Sequence, residues 1–93
     1  MTTIHKYTIP YEFNELSIPE GAEILSMQLQ NGIPCIWVMV DTDQPKIKRK
    51  FMIVGTGKEL HPCVLHTFIG TYQLNEKGLV FHVFEIPMHN KKS

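Results

Sequence analysis

Apolar and polar residues alternate most regularly between Glu23 and Asp41, in the stretch EILSMQLQNGIPCIWVMVD. Leu25, Met27 and Leu29 fall on one side of an extended chain and Ser26, Gln28 and Gln30 on the other, the period of two that a strand with one wet face requires. Asn31-Gly32 comes next, two residues that tolerate positive φ and close a two-residue type I′ turn without strain. From Ile33 to Val40 the chain is almost uninterruptedly apolar and holds the sole tryptophan, Trp37. That run predicts the most buried strand, with Trp37 in the core. A β-hairpin is therefore expected at the centre of the fold.

The same pattern gives further strands on either side. Residues 4–9, IHKYTI, place Ile4, Lys6 and Thr8 on one face and His5, Tyr7 and Ile9 on the other, and Pro10 ends them. Residues 11–20, YEFNELSIPE, mix aromatics with acids around Pro19 and read as a loop or short extended segment over a sheet edge. Pro19-Glu20-Gly21 signals a turn, and DTDQPK after Val40 a surface loop. Lys46 to Val54 reads as a strand with Lys46, Lys48 and Lys50 on one face and Ile47, Arg49, Phe51 and Ile53 on the other. In KELHPCVLH, residues 58–66, Pro62 excludes a long helix and leaves a single turn or an irregular loop. Thr67 to Leu74 and Leu79 to Ile86 form a second hairpin around the Asn75–Gly78 turn, with Gly70 marking a bulge or a close backbone approach. The tail 87–93 is expected to fray.

About six short strands with Asn, Gly and Pro punctuation predict a mostly β fold: a small antiparallel sheet curled into a half-open barrel or a two-layer sandwich. At 93 residues the chain is read as a single domain, 1–93. The open edges of such a sheet are natural dimer contacts, so a homodimer is expected.

Composition narrows the function classes. Nine Lys and Arg offset nine Asp and Glu, which argues against a general nucleic-acid coat or a membrane-surface helix. No targeting segment and no membrane-length apolar run is legible, so a reducing cytoplasm is expected. Cys35, inside the apolar run, reads as a small buried hydrophobe rather than half of a disulfide with Cys63.

The positive charges are unevenly placed, and they supply the main candidate site. Lys46, Lys48, Arg49 and Lys50 precede the turn Gly55-Thr56-Gly57-Lys58, whose amides and lysine could address an anion: a nucleotide, a nucleic-acid backbone or an acidic protein face. A full phosphate-loop pattern is missing, so a tight turn is the plainer reading. His61, Cys63 and His66 have metal-ligand chemistry, with His82 or Glu59 as a further ligand. The second ligand pair of a structural zinc module is absent, however, and no metal or other cofactor is assigned. Cys63 with either neighbouring histidine is also the one nucleophile–base pair, yet nothing marks an oxyanion hole, and the chain is not read as an enzyme. His82, between Phe81 and Val83, reads as a hydrogen-bonded core or interface histidine. Tyr7, Tyr11, Phe13, Phe68 and Tyr72 mark a partner interface if they cluster on one exposed face.

The string AEILSMQLQNGIPCIW, the following VD, the VGTG turn, IGTYQL and GLVFHVFE together resemble a family of short bacteriophage and prophage proteins of unknown function. The likeness runs from Ile4 to Glu85 and leaves out KIKRK and HPCVLH. It implies a phage origin and action in the bacterial host cytoplasm, and it brings no catalytic residue. Small phage proteins outside the virion often act by binding. The leading expectation is thus an inhibitor of a host defence component by direct protein contact, of the anti-CRISPR type, using Lys46 to Lys50, Lys58 and nearby aromatics. The alternative is a protein that binds or sequesters a nucleotide at Gly55-Thr56-Gly57-Lys58.

Overall fold

The computed structural model describes residues 1–60, 66–74 and 78–87. Among them are seven strands: β1 (Thr2–Thr8), β2 (Phe13–Pro19), β3 (Glu23–Gln30), β4 (Ile33–Asp41), β5 (Lys46–Gly55), β6 (Thr67–Leu74) and β7 (Leu79–Ile86). A three-stranded sheet has the order β1-β4-β3 and a four-stranded sheet the order β2-β5-β7-β6, with every neighbouring pair antiparallel. The two sheets share one buried core, as the layers of a sandwich do, and they do not close into a barrel. The loop 61–65, the turn residues 75–77 and the tail 88–93 lie outside the described residues.

The central hairpin forms as the sequence demands, with φ of 54° at Asn31 and 77° at Gly32, the pair of positive values of a type I′ turn. Strand β4 is the most buried strand. Ile36, Val38 and Val40 turn inward against Ile9, Ile18, Phe51 and Val83 from the remaining chain, all within 1% of complete burial. Cys35 is free and buried.

Three expectations change. Residues 13–19 form a true strand, β2, paired along its whole length with β5. Leu16 and Ile18 alternate inward as a strand face should, but Asn14 occupies the third inward position and hides the pattern. Its amide is satisfied locally: Oδ1 accepts from the Tyr11 N–H at 3.1 Å and Nδ2 donates to the Tyr11 carbonyl at 2.7 Å. A polar residue can therefore sit in this 7%-exposed slot. Strand β3 carries a bulge between Ile24 and Ser26, which turns Leu25 out and gives the inward place to Ile24. Trp37 is not core. It pairs with Lys6 and Ser26 and so lies half-buried on the outer face, because alternation gives the inward positions of β4 to its neighbours Ile36 and Val38.

The edges β3 and β6 approach each other across the sandwich. A β-carbon on Gly70 would lie 2.9 Å from Met27 Cε and 3.2 Å from Met27 Cβ, so the Met27 side chain would have to shift to admit one. A register shift between Phe68 and Gly70 bulges β6 at the same place. Both roles expected of Gly70, bulge and close approach, occur together.

Candidate functional site: the outer face of the four-stranded sheet

Alternation along β5 divides its charges. Lys46, Lys48 and Lys50 project outward and are exposed, whereas Arg49 turns inward. There its guanidinium meets Glu85 in a two-pronged ion pair, Nε to Oε2 at 2.6 Å and Nη2 to Oε1 at 2.8 Å, while Nη1 donates to the Ala22 carbonyl at 2.8 Å. Both side chains are 16% exposed. The hydrogen bonds to Glu85 hold the Arg49 guanidinium above its ordinary range, so it is a fixed structural cation. It belongs to the interior and not to the lysine row.

Lys58 is also apart from that row. Gly55 lies seven steps along the strand from Lys48, about 23 Å, and the Gly55-Thr56-Gly57-Lys58 turn lies at the far end of β5. Gly57 has φ of 89°, the value a type II turn needs at its third residue. The Thr56 N–H donates to the Val80 carbonyl at 3.0 Å and the Lys58 N–H to the Gly55 carbonyl at 3.1 Å. Two of the amides that could have met a phosphate are thus already engaged.

What adjoins the lysines is an apolar bar. Phe13 of β2, Met52 of β5, Phe84 of β7 and Phe68 of β6 stand in one cross-strand row over the full width of the sheet. Phe68 and Phe84 meet edge to face at 5.7 Å, and His66 meets Phe84 likewise at 5.5 Å. At the two ends of the row Phe13 is 64% and Phe68 57% exposed, and Tyr11 just beyond Phe13 is 69% exposed. Two residues along β5 from Met52, Lys50 lies opposite Glu15, and Lys48 lies opposite Ser17. The face therefore reads, from one end, lysines and then aromatics. Of the aromatics singled out in the sequence, Tyr11, Phe13 and Phe68 belong here, while Tyr7 and Tyr72 pack against the core. Burial pushes both of the latter phenols above their ordinary value.

A cavity of about 810 Å³ has Gly55, Lys58, Leu60, His66, Tyr11 and Phe81 among its walls. His82 is engaged by two threonines, Thr56 Oγ1 at 2.8 Å from Nε2 and Thr71 Oγ1 at 3.0 Å from Nδ1, so both ring nitrogens are occupied. His61 and Cys63 lie outside the described residues; among those described, no three metal-ligating side chains converge. No helix among them is long and apolar enough to cross a membrane.

A family model described as Domain of unknown function (DUF7352) matches residues 1–92. The chain belongs to the DUF7352 family. No curated protein and no solved structure matches it. In this DUF7352 domain the sequence reading found the lysine row and its face but not Met52, Phe84 or His66 as neighbours of Phe13 and Phe68. Those adjacencies come from register across four strands, and the available local signal was the alternation from Phe13 to Ser17.

Proposed function

We propose that this DUF7352 domain is a binding protein without catalytic chemistry of its own, acting by contact with a protein partner through the outer face of the four-stranded sheet. One observation carries the reading: exposed Phe13 and Phe68 lie on the same face as a row of three lysines. Aromatic anchors beside a charged margin are the composition of protein interfaces, in which a few large side chains supply most of the affinity and charges set partner choice. The partner surface is acidic at one end and apolar at the other. The resemblance to phage proteins adds a host defence component in the bacterial cytoplasm as the partner class, which makes the domain an anti-CRISPR-type inhibitor.

The test is a triple variant, Phe13→Ala, Phe68→Ala and Lys48→Glu, all at exposed positions. It is expected to keep the wild-type circular dichroism and to lose both crosslinked partners and the rescue of phage plating on hosts that carry a defence system. Rescue equal to wild type by the folded triple variant would remove this face from the mechanism.

The cavity beside Lys58 supports a second reading, a small anionic ligand held between aromatic walls and one lysine. Saturating nucleotide must then raise the melting temperature, because a ligand that binds only the folded chain stabilises it. An unchanged melting temperature with a panel of cyclic and linear nucleotides rejects this second reading.

A further inference from the structure

The sandwich has four edge strands, and three of them are obstructed as pairing templates. Strand β3 is bulged at Leu25 and β6 at Ile69, and these two edges lie against each other. Strand β2 ends in Pro19, which has no N–H to donate. Strand β1 has none of these features: seven residues, TTIHKYT, in unbroken register with β4. Such an edge presents a row of unpaired backbone groups to any second strand.

Its free groups can be assigned residue by residue. The Ile9 N–H donates to the Pro34 carbonyl and the Thr42 N–H to the Met1 carbonyl. Odd-numbered residues of this segment therefore direct their backbone groups towards β4, since direction alternates along an antiparallel ladder. Thr2, Ile4, Lys6 and Thr8 direct theirs outward, and among the described residues nothing bonds to them. All four are exposed, and so is inward-facing His5, so the opposite sheet leaves the strand uncovered at its midpoint.

We infer that β1 is the interface of a symmetric homodimer, in which β1 pairs antiparallel with β1 of a second copy about a two-fold axis at His5. This register alone uses the whole edge. It sets Ile4 opposite the partner's Lys6 and Thr2 opposite the partner's Thr8, and every outward-directed residue then exchanges both of its bonds. Shifting the axis to Lys6 would place Lys6 against its own copy, a like-charge pair directly across the ladder, and would leave Thr2 unpaired. Shifting it to Ile4 leaves Thr8 unpaired. In the His5 register the aliphatic stem of Lys6 covers the partner's Ile4, which is 55% exposed in the single chain. The product is a continuous six-stranded sheet, β3-β4-β1 joined to its two-fold copy.

Two experiments test this. In the first, Lys6→Pro deletes an outward donor and leaves every β1–β4 bond in place, so the chain folds and the dimer weakens. Two donors are lost per dimer, and roughly thirtyfold weaker association is expected by sedimentation velocity. In the second, single cysteines read the register in a Cys63→Ser background. Opposed His5 residues have Cα atoms about 4.5 Å apart, within disulfide range, so His5→Cys crosslinks under mild oxidation. Thr3→Cys does not, because two Thr3 residues are offset by four positions, about 13 Å. A wild-type chain that stays monomeric up to millimolar concentration overturns the inference. So does a dimer indifferent to Lys6→Pro, or crosslinking by Thr3→Cys as efficient as by His5→Cys.

Discussion

The Arg49–Glu85 pair offers the sharpest test of how this sandwich is held together. One guanidinium donates three charge-assisted hydrogen bonds, two to Glu85 and one to the Ala22 carbonyl, and both members of the ion pair are 16% exposed. Removing one partner leaves the other enclosed and charged. For fully buried pairs that costs about 3–5 kcal/mol, and the residual exposure here puts Arg49→Met and Glu85→Leu at about 2–3 kcal/mol each. Domains of this size have about 5–14 kcal/mol in total, and 1 kcal/mol moves the midpoint by about 4–8 °C. Each single variant should therefore melt about 10–20 °C lower. The double variant, with two apolar side chains facing each other, should lie within about 1 kcal/mol of wild type. The interaction energy from the cycle is then several kcal/mol, far above the few tenths expected of independent sites. Urea unfolding followed by circular dichroism at one fixed protein concentration measures all four chains. Additive single effects, or single losses below about 0.5 kcal/mol, would refute the view that this pair fastens β5 to β7.

Three further outcomes are expected. Gly70→Ala should cost about 1–3 kcal/mol by forcing a contact with Met27, and the loss should shrink in a Met27→Ala background if that contact is the cause, measured by the same urea curves. The phenols of Tyr7 and Tyr72 are raised by burial, so the unfolded chain loses those protons first. Stability should be level with respect to them below about pH 10, the unfolded value, and fall as pH rises from there through the folded values, followed by thermal melts across the alkaline range. Trp37→Ala should leave a folded protein with a loss well under the roughly 3–5 kcal/mol of a core aromatic, because the ring lies on an outer face; a chain unfolded at 25 °C would contradict the assigned register.

What could be read from the sequence was whatever local chemistry decides. The Asn31-Gly32 turn follows from two residues, and the lysine face of β5 from strict alternation. Gly70 stood out because one missing side chain marks a close approach. What escaped depended on partners distant in sequence. Asn14 occupies an inward slot only because Tyr11 folds back to meet its amide, and that exchange turned an apparent loop into β2. Leu25 loses its inward place to a bulge, which no local pattern announces. Arg49 looked like part of a basic patch although its own alternation already set it inward; the acid that receives it is 36 positions away. The aromatic bar of Phe13, Met52, Phe84 and Phe68 exists only once four strands are in register.

Trp37 finally gives the molecule an optical handle of its own. The lone indole stands on the outward side of β4, next to Lys6 of the strand with the free edge. Its emission originates at the solvent boundary, so colour and quenching by iodide will track what arrives at that boundary and leave the interior unreported. Unlabelled protein can thus be titrated against itself or against a candidate partner, and a change in light will say which side of the slab was approached.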